Sequence, residues 1–204
     1  MKLFFSPASP FVRKVMVCAL ERGIDGHIEK LGSAAHPINQ DPTIKAHNPT
    51  GKVPTLIADD GSAIYDSRVI CEFIDSVGTA PALFPAAGVD RWQALVLQSA
   101  ADEMLDAALL ARYETVARPE ALRWADWHQG QITKIHTTVR AYSGAWIDHL
   151  EQRLDIGTIA AAVSLGYLDF RFPDLGWREG NERLARWYAG FAERASMKAT
   201  VPVG

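Results

Sequence analysis

The feature that most limits what this 204-residue chain can fold into is a change of organisation near residue 78, from alternating strands and helices to helices alone. Before it, strands and helices alternate. Lys2 to Phe5 reads as a short strand, Pro10 to Arg22 as a helix stopped by Gly23, and Gly26 to Leu31 as a second strand. Residues 32–50 read as loop with one helical turn. Two apolar runs, Pro54 to Ala58 and Ser62 to Tyr65, flank Asp59-Asp60-Gly61, which is a hairpin signal. From Asp66 the period becomes helical, with Val69, Ile70, Phe73, Ile74 and Val77 on one face. The predicted order is β-α-β-α-β-β-α.

Residues 79–90, TAPALFPAAGVD, carry two prolines and a glycine and read as an interdomain linker. Everything beyond them reads as helix. Leu97, Ala101, Met104, Leu105, Ala108 and Leu109 make one stripe. Ile132, Ile135, Val139, Tyr142, Trp146, Leu150 and Leu154 make another. Thr158 to Phe172 is almost wholly apolar, as in a helix buried on all sides. Asn181 is placed to cap a final helix carrying Leu184, Trp187, Tyr188 and Phe191. The expected organisation is an α/β domain over 1–78, a linker over 79–90 and an all-helical domain over 91–204.

Hydrophobic residues make up 48% of the chain, enough for a well-packed core. The formal net charge of −3, with basic residues scattered, points away from nucleic acid and from a membrane surface as partners. No apolar run is long enough for a membrane span, and the first residues lack a signal-peptide pattern, so the expected location is the cytoplasm. Cys18 and Cys71 sit in apolar helical stretches and read as small buried hydrophobes. The six histidines, His27, His36, His47, His128, His136 and His149, show no metal-ligand spacing, so no metal is expected.

Three short segments bear on chemistry. In "SPASPFVRKV", Ser9 precedes Pro10 at the first helical position, which is a good N-cap. The same geometry suits chemistry: a helix N-terminus favours a neighbouring anion, and a hydroxyl there can donate to it. A thiolate would be stabilised in such a place. In Gly51-Lys52-Val53-Pro54, a cis Val53-Pro54 bond would turn the Val53 backbone outward to pair with an extended peptide; otherwise Pro54 simply opens an edge strand. Asp66-Ser67 opens a helix and reads either as a cap or as a seat for the amino-acid end of a ligand, with Ser67 on its carboxylate and Asp66 on its ammonium.

The segments S-P-A-S-P-F-V-R-K-V, N-P-T-G-K-V-P-T-L and Y-D-S, in that order before a proline-containing linker and a helical half, resemble the cytosolic glutathione transferase family over essentially the whole chain. The stretch G-Y-L-D-F-R, residues 166–171, resembles a bacterial subgroup. The resemblance implies a thioredoxin-like N-terminal domain, an all-α C-terminal domain, a homodimer, and glutathione as co-substrate in conjugation of the detoxification type. Ser9 falls where the family places its catalytic serine or cysteine. Phe11 joins the glutathione-contacting set; Val53 would pair with the cysteinyl part of glutathione before a cis Pro54; Lys52 would lie near the glycyl carboxylate; Asp66 and Ser67 would hold the γ-glutamyl end. The electrophile pocket would be lined by the first helix of the helical half, with Arg112 and Tyr113 as candidates.

The sequence departs from the family pattern in three places. Asp66 stands where many members have glutamate or glutamine, a shorter reach that loosens the γ-glutamyl seat. The S/T-x-x-D capping box of the buried helix is incomplete, because Thr158 is followed at the partner position by Ala161. The joint Arg153-Leu-Asp-Ile-Gly157 is tight, from a short loop or from missing residues. Two other functions stand beside conjugation. A thiol–disulfide oxidoreductase needs an attacking cysteine, yet Ser9-Pro10-Phe11-Val12 occupies the place of C-P-x-C with both cysteines lost. A non-catalytic member of the fold, binding a ligand or protein partner, is the other.

Overall fold

β1 (Lys2–Phe5) leads through a turn into α1 (Pro10–Glu21), and β2 (Glu29–Gly32) follows a single 3₁₀ turn. The computed structural model describes residues 1–33 and 35–204. α2 (Pro42–Lys45) is the one helical turn expected in the loop; Asp41 caps it by accepting from Thr43 N at 2.8 Å. β3 (Thr55–Ile57) and β4 (Ala63–Ile64) form the hairpin around Gly61, whose φ of +87° is what the tight turn demands. α3 (Ser67–Val77) completes the series.

The sheet order is β2-β1-β3-β4, with β1 parallel to β2 and antiparallel to β3, and β3 antiparallel to β4. In register, Phe4 lies opposite Thr55, and Leu56 opposite Ile64. The end of β1, the start of β3 and the end of β4 therefore share one edge of the sheet. Two helices, α1 and α3, begin at that edge and pack together over Leu3, Val15, Cys18, Leu56, Ile70, Cys71 and Ile74, all fully buried. The buried face of α3 is narrower than expected. Ser67, Ile70, Cys71 and Ile74 are inside, whereas Val69 and Val77 are exposed.

The helical elements that follow are α4 (Gly88–Val116), α5 (Ala125–Ser143), α6 (Ile147–Gln152), α7 (Ile156–Arg171), α8 (Glu182–Ala192) and α9 (Ala195–Lys198). The chain forms two compact units, Met1–Pro85 with Ala195–Gly204, and Ala86–Arg194. The last ten residues thus leave the helical half in which the sequence placed them. α9 packs on α1: Arg13 Nη2 donates to Met197 O at 3.2 Å, and Ser196 donates to the Glu21 carboxylate.

In the second unit α4 packs against α5 and α7. α7 is buried from Ile156 to Leu168, as its apolar sequence requires. Gly157 allows its close approach to α4, since a Cβ there would stand 2.8 Å from Ala94 O. Three expectations need correction. The N-cap of α7 is Asp155, and its capping box is complete: Asp155 Oδ1 accepts from Thr158 N at 3.0 Å while Thr158 Oγ1 accepts from Asp155 N at 3.0 Å. Thr158 is the third helical residue of that box, so Ala161 was never its partner. Asp155 also meets His149 Nε2 at 2.8 Å, which ties α6 to α7 across a short joint that leaves Leu154 exposed. Finally, Asn181 stands at the start of α8 but does not accept from it; its amide donates to Trp177 O and Glu179 O.

Candidate functional site

Three loops leave the shared sheet edge, and each carries one of the segments singled out in the sequence. After β1, Ser9 is the N-cap of α1, with φ −81° and ψ 121°. Its Oγ accepts from Val12 N at 3.3 Å, and its carbonyl accepts from Arg13 N at 3.0 Å. Among the described residues the Ser9 hydroxyl hydrogen has no acceptor, so the oxygen caps the helix while the O–H remains a donor. Pro10 has no N–H to satisfy, and Phe11 N is left as a first-turn amide without an intrahelical partner.

Before β3, the Val53-Pro54 peptide bond is cis, as expected. The preceding turn is held by Asn48, which is 2% exposed. Its side chain donates to Thr55 Oγ1 at 2.9 Å and accepts from Thr50 N at 3.0 Å, while Thr55 Oγ1 donates to Lys52 O at 2.8 Å. Gly51 bends the chain at φ +63°. Val53 is half-buried and, among the described residues, its backbone N–H and C=O make no hydrogen bond. Lys52 points into solvent. Sequence reasoning assigned no role to Asn48 or Thr55; their signal was present as the polar residues bracketing the glycine-to-proline turn.

After β4, Asp66 caps α3 by accepting from Arg68 N at 2.9 Å, and the Tyr65-Asp66 bond is also cis. Ser67 is the first residue of α3 and is buried, while Asp66 is exposed. The site residues expected in the first unit, Ser9, Phe11, Lys52, Val53, Pro54, Asp66 and Ser67, thus lie on three loops at one sheet edge. Two helix N-termini add their positive ends there. That arrangement suits an extended, peptide-like anion.

The cysteines are closed off from solvent. Both are fully buried, and burial pushes the Cys18 thiol well above its ordinary value, with Cys71 beside it adding to the shift. No group of three metal-ligating side chains occurs among the described residues, and no helix there is long and apolar enough to cross a membrane.

Arg112 and Tyr113 lie in the second unit, half-buried on α4. They are within electrostatic reach of Tyr167 on α7, whose hydroxyl is hydrogen-bonded to Arg171. Burial pushes the Tyr167 phenol up to about 12, against the pull of Arg112 and Arg171. Arg171 is shifted down, first by burial and then by Arg112. The G-Y-L-D-F-R stretch had marked these two residues only as a resemblance.

Comparison with known proteins accounts for both halves of the chain. The family description "Glutathione S-transferase, N-terminal domain" matches residues 8–77, and "Glutathione S-transferase, C-terminal domain" matches residues 125–190. The chain is also 33% identical over 205 residues to the Escherichia coli protein described as uncharacterized GST-like protein YibF, covering 99% of this chain and 98% of that one.

The chain belongs to the glutathione S-transferase family.

Solved transferase structures agree. A family member from Pseudomonas fluorescens Pf-5 with bound glutathione is 40% identical, with a TM-score of 0.97 over 100% of this chain and 99% of that one. A second structure from the same organism, with bound S-(propanoic acid)-glutathione, gives 40% identity and a TM-score of 0.93 over the full length of both chains. The thioredoxin-like N-terminal domain and helical C-terminal domain implied by the motifs are those of the glutathione S-transferase fold.

Proposed function

We propose that the protein is a glutathione transferase, joining the glutathione thiolate to small electrophiles, with the first unit as the glutathione-binding domain; the linker expected over 79–90 is cut short, because the first unit runs to Pro85 and α4 begins at Gly88. The observation that carries this reading is the donor-ready Ser9 hydroxyl at the start of α1, on the same sheet edge as the unpaired Val53 backbone and the start of α3. Ser9 donates to the thiolate, helped by the Phe11 amide and the helix end. Val53, with Pro54 after it, pairs through its backbone with the cysteinyl unit. Lys52 meets the glycyl carboxylate. Ser67 holds the γ-glutamyl carboxylate and Asp66 its ammonium. On the electrophile side stand Arg112 and Tyr113.

In the reaction a C–S bond forms at an electrophilic carbon. Either a leaving group departs with its electron pair, or the adjacent carbon of a double bond takes a proton from water. The relatives solved with glutathione and with an S-substituted glutathione support this reading. Ser67→Ala is expected to weaken glutathione binding by about 1.5–3 kcal/mol, the size of a hydrogen bond to a charged group. Calorimetry showing unchanged affinity would remove Ser67 from the seat. Glutathione affinity with no turnover across a broad panel of electrophiles would instead favour the non-catalytic role.

The homodimer is proposed on the exposed apolar residues left by each unit. Val69 and Val77 on α3, and Val89, Trp92 and Val96 on α4, stand in solvent, with Trp92 66% exposed. Stripes of this kind are unusual on a monomer. Sedimentation at micromolar concentration is expected to give twice the chain mass, and a single species of chain mass overturns the proposal.

A further inference from the structure

Resting on the transferase reading, a further inference concerns what aims the backbone of the Val53 loop. The Lys52–Val53 peptide bond is trans. Its C=O and N–H therefore point to opposite sides of one plane. The Lys52 carbonyl takes donors from two side chains, Thr55 Oγ1 at 2.8 Å and Asn48 Nδ2 at 3.4 Å. Both of those residues are buried, Thr55 completely, so the carbonyl faces inward. The Val53 N–H faces the other way, and among the described residues it has no acceptor.

Both side chains are anchored at their far ends. Thr55 sits in β3, in register with Phe4 of β1. Its hydroxyl accepts from Asn48 Nδ2 at 2.9 Å while it donates to Lys52 O. Asn48 follows α2, and its backbone N–H donates to Ile44 O at 2.8 Å. Asn48 Oδ1 accepts from Thr50 N at 3.0 Å and from Thr50 Oγ1 at 2.8 Å, which fixes which end of the amide is oxygen. A local turn explains Oδ1, because asparagine commonly bonds the backbone two residues on. It does not explain Nδ2, nor a hydroxyl at a fully buried strand position. Valine would fill that position in a strand without burying a polar group. What the two groups share is the Lys52 carbonyl.

We propose that Asn48 and Thr55 are positioning residues for glutathione: they hold the Lys52–Val53 peptide plane so that the Val53 N–H meets the cysteinyl carbonyl already aimed. Each acts through that plane rather than by touching the ligand. A plane that is set beforehand loses no conformational freedom when the ligand arrives. A plane released from the Thr55 hydroxyl would turn, and its N–H would face the seat only part of the time.

Thr55→Val tests this, since it removes the hydroxyl and keeps the shape. Calorimetry is expected to give a glutathione dissociation constant about two- to tenfold higher, the weight of one hydrogen bond. Thr55→Ser, which restores the hydroxyl, is expected to recover most of the loss. In kinetics the effect falls on KM for glutathione, while kcat and the pKa of its pH profile, set at Ser9, stay close to wild type. Amide NMR supplies a signature that general loosening of the fold would not give. The Val53 N–H signal should move downfield when glutathione is added to wild type, move less in Thr55→Val, and regain its shift in Thr55→Ser. A dissociation constant or a Val53 signal left unchanged in Thr55→Val overturns the proposal, as does a loss that Thr55→Ser fails to recover. Glutathione that does not bind wild type overturns it together with the transferase reading. Binding that follows the expected pattern while no electrophile is turned over upholds the positioning role, and the transferase reading alone fails.

Discussion

Asp75→Ala is expected to lower the stability of the first unit by about 3–5 kcal/mol, the cost of leaving one member of a buried ion pair without the other. Asp75 and Arg22 meet at 3.0 Å with side chains 9% and 6% exposed. The same carboxylate accepts the backbone amides of Leu83 at 2.7 Å and Phe84 at 3.2 Å. Arg22 in turn donates to the carbonyls of Asp75 and Gly78, and its own carbonyl accepts from Thr79 N at 3.1 Å. One pair therefore ties the end of α1, the end of α3 and the segment after it. Gly78 is part of the arrangement, because a Cβ there would fall 2.6 Å from the Arg22 side chain. Truncating Asp75 strands a buried cation and two amides together. Urea unfolding checks the prediction, with Arg22→Ala and the double variant completing a cycle. The double variant should cost less than the two singles added. A loss below about 0.5 kcal/mol for Asp75→Ala, the size expected of an ordinary surface change, would contradict this account.

The order of elements in the first unit was legible because each boundary carries a strong local signal: Ser9-Pro10 and Asp66 as caps, Gly23 as a stop, Asp59-Asp60-Gly61 as a turn. The proposed glutathione seat was legible for the same reason, since its residues are the caps and the turn. What local patterns could not supply was contact between distant residues. Nothing near Met197 announces that it will accept from Arg13, so the return of α9 to α1 was missed. The Arg22–Asp75 pair spans α1 and α3 and looked like two ordinary helix-end charges.

Periodicity also identifies a stripe without saying how much of it is covered. Val69 and Val77 share the apolar side of α3 with Ile70 and Ile74, but Ser67 and Cys71 are the residues buried beside them. The α7 cap was legible in the sequence: Asp155 and Thr158 have the three-residue spacing of a capping box, with aspartate in place of the serine or threonine of the usual pattern.

The central claim is that Ser9 tunes the thiol of bound glutathione. It rests on a division of labour within one hydroxyl: the oxygen receives the Val12 amide, and the hydrogen is left to give. No histidine or lysine contact to Ser9 is present among the described residues to make it a nucleophile, so its chemistry is that of a donor. A free thiol ionises near pH 8.5, and each unit of lowering corresponds to about 1.4 kcal/mol. One hydrogen bond and a helix end supply about one to two units. Removing the hydroxyl should therefore slow conjugation by up to about 8- to 25-fold near neutral pH, with a deficit that shrinks as the medium ionises the thiol unaided. Ser9→Cys should lose conjugation and gain thiol exchange through a mixed disulfide with glutathione.

The direct measurement is the pH–rate profile of conjugation in wild type, Ser9→Ala and Ser9→Gly. Glycine serves as control because it costs a helix N-terminus only a few tenths of a kcal/mol, by the usual ranking of caps. The account predicts that both variants share a profile shifted to higher pH and converge on wild type in alkali. Three profiles with one common pKa, separated by a constant factor, would contradict it and leave Ser9 as a helix cap alone.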